Sequence, residues 1–167
     1  RLNGNGQDEI GSNDGTLSGG MSCNVAGKFG NACEFDGVDD VISVPYSNSL
    51  NTSKNMAVSV WFSASSISTL DIIISTRTVG GYWLATRNDS TCANCFYVSY
   101  SLASGSGFVR SDNNSLAVNG WSHAIFNVNG TGFELYLGGV KVDNATESSN
   151  IDLSNADFCI AEGALTT

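Results

Sequence analysis

Three aspartates crowd one turn near the start of the chain. In the stretch GKFGNACEFDGVDDVISVP, residues 27–45, Asp36 is followed closely by Asp39 and Asp40. Carboxylates this close repel one another unless they accept hydrogen bonds from backbone amides, pair with Lys28 or share a cation. Calcium takes about six to eight oxygen ligands. The turn is therefore interpreted either as a self-capped structure or as part of a calcium site.

A second oxygen-rich loop precedes this turn. It contains Asp8 and Asp14. Carboxylate oxygens are ligands that calcium prefers, although no EF-hand spacing is present. The candidate metal ligands are therefore Asp8, Asp14, Asp39 and Asp40, with calcium as the candidate cofactor.

Aromatic side chains are concentrated in the middle of the chain. Flat rings can stack against the apolar faces of pyranoses, while nearby polar groups bind the sugar hydroxyls. Strand alternation sends Phe96 and Tyr97 to opposite faces, so at most half of the rings share one surface, and core packing is the competing role for each. The candidate ligand-binding residues are Tyr82, Trp83, Arg87 and Tyr97.

The cysteines favour an oxidising compartment. Cys23 and Cys33 flank a glycine-rich connection, and Cys92 and Cys95 bracket a short turn, so each pair can close a disulfide. A zinc site is the weaker interpretation, because one pair alone has ligand spacing and the single histidine is remote. We predict both disulfides, a buried thiol at Cys159 and an extracellular or cell-surface location.

The charge balance argues against two classes of partner. The formal net charge is −9, and none of the seven Lys and Arg residues is adjacent to another. A phosphate-binding surface needs clustered cations, so no nucleic-acid partner is expected. No apolar run approaches the ~20 residues that span a bilayer, so no direct membrane insertion is expected. A length of 167 residues with 41% hydrophobic content fits one domain over residues 1–167.

Short segments of alternating apolar and polar residues fill the chain. In MAVSVWFSAS, Met56 and Val58 face one side and Ala57 faces the other, which is typical of a half-buried strand. Gly138 and Gly139 tolerate positive φ and suit a two-residue hairpin. Many such strands with no credible helix predict an all-β domain, a sandwich or a barrel.

Four ordered stretches resemble a known family. Residues 8–20, 27–45, 56–64 and 121–142 are similar to the laminin-G-like, concanavalin A-type jelly-roll domains of secreted microbial proteins. The resemblance covers nearly the whole chain and implies two antiparallel sheets packed face to face. It also implies structural calcium near loops such as the two acidic ones.

The resemblance departs from the family at both ends. The first strand survives as Arg1 and Leu2 alone, and the final acidic strand expected after Gly163 is missing. We therefore expect a single domain that lacks the outermost first and last strands, either because it is trimmed or because a sheet edge is completed from outside.

The residues do not predict an enzyme. Glu34 and Asp36 have the spacing that places two carboxyl groups on one strand face, and glycosidases need such groups about 5 to 9 Å apart. Glucanases of the fold that the resemblance implies carry a further Glu just downstream, where Gly37 and Val38 follow instead. His123 alternates onto the face of Trp121 without a nucleophile motif nearby, so we expect a core histidine.

Two functions from different classes remain. The first is a non-catalytic ligand-binding or adhesion domain, with glycans as the expected ligands, in which a glycan at the rim could use both calcium and a ring such as Trp83. The second is a structural subunit of a surface filament or pilus that self-assembles through open sheet edges.

Overall fold

Short β-strands make up the regular structure of the protein, seen in a computed structural model that describes residues 5–52, 54–76, 80–153 and 157–161. No helix occurs within these ranges, and none of their segments could cross a membrane as a helix. The strands are β1 (Thr16–Ser18), β2 (Ser22–Ala26), β3 (Asn31–Glu34), β4 (Val41–Val44), β5 (Asn55–Ser63), β6 (Asp71–Thr76), β7 (Tyr82–Arg87), β8 (Cys95–Leu102), β9 (Gly105–Arg110), β10 (Trp121–Asn129), β11 (Gly132–Leu137), β12 (Val140–Thr146) and β13 (Phe158–Ile160).

Two antiparallel sheets form the sandwich, which confirms the all-β jelly-roll prediction. One sheet has seven strands in the order β1-β4-β13-β6-β7-β8-β9, and the other has four in the order β12-β11-β10-β5. A separate hairpin pairs β2 with β3. The β11–β12 turn contains Gly138 and Gly139 with φ of 59° and 84°, the left-handed region that the sequence predicted for this hairpin.

The core lies between the two sheets because every second residue of each strand faces inward. Phe96 and Tyr100 enter it from β8, and Phe126 and Phe133 enter from β10 and β11; all four are nearly or fully buried. The rings of Tyr100 and Phe133 stack with their centroids 4.2 Å apart. Burying one such side chain contributes about 1.5–3 kcal/mol, so this aromatic packing fixes the distance between the sheets.

Tyr82 belongs to this core. It is 5% exposed, and its ring centroid lies 5.9 Å from that of Phe126. Tyr82 and Leu84 of β7 face the core, whereas Trp83 points to the opposite face of the sheet. This corrects the expectation that Tyr82 lines the ligand surface, and the reason is the two-residue period of the strand.

Strand β5 is an edge of the four-stranded sheet. It pairs with β10 along its whole length, and within the described part of the chain no strand pairs with its other side. Its inward side chains, which begin with Met56 and Val58, are only partly buried. They border a cleft of about 1270 Å³ that the seven-stranded sheet lines with Ile72 and Ile74. One side of the sandwich is therefore open.

Both predicted disulfides are present. Cys23–Cys33 joins β2 to β3, and Cys92–Cys95 closes the turn before β8 with its Cα atoms 5.7 Å apart. Cys159 is buried and belongs to neither bridge. The cysteine predictions are therefore confirmed.

The position of Tyr82 generates a pH-dependence prediction. Burial raises the pKa of its phenol to about 12, whereas the unfolded chain titrates near about 10. The stability that neutral Tyr82 confers is thus complete below about pH 10 and is lost as the pH rises through about 12. We expect the free energy of unfolding, measured in urea, to decline less above pH 10 in Tyr82→Phe than in the parent.

Tyr46→Phe is the matched control, because that ring is exposed. Its free energy of unfolding should decline above about pH 10 as much as that of the parent. A Tyr82→Phe profile that superimposes on the parent profile would contradict the core position.

Candidate functional site

Three rings lie side by side on the outer face of the seven-stranded sheet. We call Trp83 of β7, Tyr97 of β8 and Phe108 of β9 the aromatic row. The centroids of Trp83 and Tyr97 are 5.4 Å apart and those of Tyr97 and Phe108 are 5.3 Å apart, with nearly parallel planes in both pairs. Phe108 is 52% exposed, and the other two rings are half-buried. The row is accessible and takes no part in the buried core cluster.

Arg87 extends the row at the end of β7. Its guanidinium carbon lies 4.9 Å from the Tyr97 ring centroid, a cation–π arrangement. Its Nε donates to Asp89 Oδ2 at 2.6 Å. Asp89 Oδ1 also accepts the backbone N–H groups of Thr91 and Cys92 at 2.7 and 3.0 Å. The arginine is therefore held over the tyrosine by a carboxylate that is itself fixed by the disulfide turn.

The same hydrogen bonds set the charge of Asp89. The backbone N–H of Thr91 is the main cause that lowers the pKa of the Asp89 carboxyl, and Arg87 acts in the same direction. Asp89 therefore stays ionised at neutral pH.

Arg110 stands at the end of β9, directly across from Tyr97 in the sheet register. Its Nη1 donates to the backbone carbonyl of Thr91 at 2.8 Å and to Asn113 Oδ1 at 3.3 Å. Its own backbone N–H donates to Asp143 Oδ2 at 2.9 Å. The Arg110 side chain is therefore anchored by neutral oxygen atoms.

Charge from both arginines reaches Tyr97. Partial burial is the main cause that raises the pKa of the Tyr97 phenol, while Arg87 and Arg110 lower it and Asp89 raises it slightly. Both arginines therefore act on the Tyr97 phenol, in a chain whose net charge is −9.

Sequence reasoning identified part of this surface. Trp83, Arg87 and Tyr97 come together as expected, while Tyr82 lies on the other side of the sheet. Phe108 and Arg110 were missed. Their signal is the stretch GFVRS, in which alternation places both on the face opposite the buried Val109.

The acidic turn between β3 and β4 is compact. Asp36, Asp39 and Asp40 each place a carboxylate oxygen within 4.8 Å of the others. Asp36 Oδ1 accepts the backbone N–H of Val38 at 2.8 Å, and Asp40 Oδ2 accepts the backbone N–H of Asp36 at 2.9 Å. Lys28 does not pair with these carboxylates in the described structure, since its Nζ lies 5.2 Å from the Trp61 ring centroid. Hydrogen bonds from backbone N–H groups therefore satisfy some, but not all, of the carboxylate oxygens of this cluster.

One atom of the turn is left over. Asp40 is 7% exposed, and its Oδ1 is buried with no hydrogen-bond partner in the described structure. Gly19, with φ of +90°, packs against it so closely that a Cβ there would come within 2.6 Å of Asp40 Oδ1 and of the Asp39 carbonyl oxygen. A buried carboxylate oxygen without a donor is costly, and together with the other oxygens it suits a hard cation such as calcium.

Asp8 and Asp14 lie outside this cluster. Asp8 accepts hydrogen bonds from the backbone N–H groups of Ile10 and Asn13, and Asp14 Oδ1 accepts the backbone N–H of Asp8 at 2.8 Å. The Ile10 bond is the main cause that lowers the pKa of the Asp8 carboxyl. These hydrogen bonds lie within the loop itself, and a metal-binding role for Asp8 and Asp14 stays a prediction.

A second group of rings covers the outer face of the four-stranded sheet. His123 stacks on Trp61 with centroids 4.7 Å apart, and its Nε2 lies 2.9 Å from Ser59 Oγ. Phe29, at the tip of the β2–β3 hairpin, meets Trp61 edge to face. His123 is half-buried on this outer face, which corrects the expectation of a core histidine. The neutral Ala124 beside it is the residue that faces the core.

Comparison with solved structures shows a shared fold. Domain 4 of AbnA, a GH43 extracellular arabinanase from Geobacillus stearothermophilus solved in complex with arabinotriose, matches with a TM-score of 0.72 and 19% identity over 93% of this chain and 77% of that one. The carbohydrate-binding module CBM66 from Bacillus subtilis matches with a TM-score of 0.49 and 15% identity over 95% of this chain and 89% of that one. At 19% identity, the match to the AbnA domain is evidence for the fold alone.

The sequence itself matches one family. No curated protein has a sequence that matches this chain. The profile of the laminin-G-like family Laminin_G_3, described as the concanavalin A-like lectin/glucanases superfamily, matches residues 36–164, which is most of the chain. The match begins at the acidic turn and includes every strand of the aromatic row. This chain therefore belongs to the concanavalin A-like lectin/glucanases superfamily.

Proposed function

We propose that this chain is a non-catalytic carbohydrate-binding domain of an extracellular protein and that the aromatic row is its binding surface. The observation that carries the proposal is the alignment of Trp83, Tyr97 and Phe108 on an accessible sheet face. Rings of this kind stack on the apolar faces of sugars, and the polar groups of Arg87 and Arg110 at one end of the row can donate to sugar hydroxyls.

The comparisons support a glycan as the ligand class. The arabinanase domain that shares this fold was solved with arabinotriose, an oligosaccharide. The two disulfides support an extracellular location, because reducing compartments disfavour them. The extent of one domain, residues 1–167, stays a prediction.

The surroundings of the carboxylates support a non-catalytic role. Glycoside hydrolysis needs a carboxylic acid with a raised pKa beside a second carboxylate. Asp89, which lies against Arg87 at the aromatic row, has a lowered pKa and three hydrogen bonds. Asp36 lies beyond the end of β3 and caps Val38, so it no longer shares a strand face with Glu34.

We expect Trp83→Ala to weaken glycan binding by about tenfold, because it removes one stacking ring of the row. Binding is measured on a glycan array and then by calorimetry with the best-bound oligosaccharide. Trp121→Ala is the control, since Trp121 is 38% exposed on the outer face of the other sheet. It should bind like the parent. Unchanged affinity in Trp83→Ala would show that the aromatic row is not the binding surface.

Calcium at the acidic turn is the second part of the proposal. Asp36, Asp39 and Asp40 would hold the ion, with the unpartnered Oδ1 of Asp40 as a central ligand. The ion would supply charge neutralisation and tie the turn to Gly19, whose close packing leaves no space for a side chain. Its role would be structural.

Calcium should raise the melting temperature of the parent. A ligand that binds only the folded state stabilises it by about 2.7 kcal/mol at a concentration 100 times its dissociation constant, which corresponds to a rise of about 5 to 10 °C for a domain of this size. Asp40→Asn should abolish the rise, because it removes the central charge while keeping the side-chain shape.

The control for this measurement is Asp8→Asn, which alters the self-capped loop outside the cluster. It should lower the melting temperature yet keep the full calcium response. If the parent melts at the same temperature in calcium and in EDTA, the aspartates serve as turn caps and the metal proposal fails.

The open edge of β5 favours a second candidate function, a structural subunit that assembles with other copies. Backbone groups along one side of β5 have no strand partner in the described residues, and the half-buried row from Met56 to Phe62 faces an apolar cleft. An extended strand from a second copy could pair with this edge and fill the cleft.

Light scattering from micromolar to millimolar concentration tests this assembly. Val58→Lys places a charge in the cleft and should keep the protein monomeric, because an inward-pointing charge would be buried without a partner when an added strand fills the cleft. Ala57→Lys adds the same charge on the outer face of the same strand and should still assemble. A parent that stays monomeric at every concentration would exclude the structural-subunit function through this edge.

A further inference from the structure

We propose that the aromatic row selects acidic glycans, meaning oligosaccharides that carry sugar carboxylates, and that Arg110 is the group that binds the carboxylate. This inference rests on the proposed function and goes further by naming the chemical class of the ligand. It is carried by the hydrogen bonding and charge balance around Arg110.

The guanidinium of Arg110 is held in place without being neutralised. Its Nη1 donates to two neutral acceptors, the Thr91 carbonyl and the Asn113 side chain. In the described residues, no carboxylate lies within ion-pair distance of its side chain. An arginine has five N–H donors, so the edge formed by Nε and Nη2 remains for a ligand. That edge matches the two oxygens of a carboxylate.

Arg87 provides the contrast on the same face. Its Nε is bonded to Asp89 at 2.6 Å, and its charge is balanced by that carboxylate. Arg87 therefore orients the Tyr97 ring, against which its guanidinium lies. In the described residues, Arg110 is the cation of the row without an ion-pair partner, and it is half-buried and still accessible.

None of the acidic groups near Arg110 in the described residues forms an ion pair with its guanidinium. Asp89 is matched by Arg87. Asp143 accepts the backbone N–H groups of Arg110 and Asn144, so its two oxygens point at backbone amides and not at the Arg110 guanidinium. Tyr97 feels the same charges. Both arginines lower the pKa of its phenol, and Asp89 raises that pKa by a smaller amount.

The sheet register places the Arg110 guanidinium beside the rings on which a sugar would stack. Arg110 is the direct cross-strand partner of Tyr97, and Phe108 lies two residues earlier on the same face of β9. Cross-strand partners have Cβ atoms about 4.5–5.5 Å apart. A sugar ring stacked on Tyr97 or Phe108 therefore lies within reach of the Arg110 side chain, so that ring stacking and carboxylate binding can act on one residue of the glycan.

The test uses an array of uronic-acid oligosaccharides, each printed beside its carboxyl-reduced, neutral counterpart. The parent should bind the acidic member of a pair at least about tenfold more tightly, as a charge-assisted hydrogen-bonded pair provides. Arg110→Gln should lose that preference, so that it binds the acidic and the neutral member of a pair with similar affinity. Arg110→Lys, which keeps the charge and loses the fork, should retain part of the preference.

Lys141→Gln is the matched control. It removes one positive charge from the outer face of the four-stranded sheet, where Lys141 pairs with Glu134. It should keep the full preference for acidic members, and thermal melting of each variant checks that it is folded. Equal binding of acidic and neutral members by the parent, or an undiminished preference in Arg110→Gln, would overturn the inference and leave the proposed function intact. Absence of binding to both members by the parent would overturn both.

Discussion

The two-residue period of the β-strand is the constraint on which both the core and the proposed binding surface depend. In β8, Phe96 and Val98 fill the space between the sheets, so Tyr97 must stand on the outer face. A register shift of one residue would exchange these positions and expose the core ring. Because Phe96 is completely buried, the outward position of Tyr97 is held by the packing energy of its neighbour. The same relation in β9 links the buried Val109 to the outward Phe108.

The polar end of the aromatic row is rigid because the turn before β8 is fixed from several directions. Cys92 and Cys95 are both fully buried and bonded to each other. Asp89 accepts two amides of this turn, and Arg110 reaches back to its Thr91 carbonyl from β9. Three strand ends are thereby joined at one rim. A surface prepared in this way loses little conformational entropy on binding, which favours affinity for flexible ligands such as oligosaccharides.

Sequence reasoning could predict what depends on local period and spacing. The strands, the Gly138–Gly139 hairpin and the disulfides follow from neighbours in the chain. Tyr82 and Trp83 could have been separated by the same rule, since adjacent strand residues cannot share a face. The sequence could not show that Gly19 closes over Asp40, because these residues are far apart in the chain and meet only in the folded sheet. It also could not show that the Asp8 carboxylate accepts hydrogen bonds within its own loop whereas Asp40 Oδ1 has no donor in the described structure. That difference depends on which backbone amides lie within reach of each carboxylate.

The positions of the two charged features in the sheet argue that they act independently. The acidic turn leads into β4, and Arg110 ends β9; in the seven-stranded order these strands are separated by β13, β6, β7 and β8. Neighbouring strands lie about 4.8 Å apart, so the separation is about 24 Å, more than twice the Debye length of about 8 Å at physiological salt. A cation at Asp40 therefore cannot contact the Arg110 guanidinium or alter its electrostatics appreciably. Trp83 on β7 is nearer, three strand spacings or about 14 Å from β4, so a rim site that uses both calcium and Trp83 stays a prediction. Calcium would stabilise the turn that leads into β4, whereas selection of the ligand would depend on the aromatic row and on Arg110.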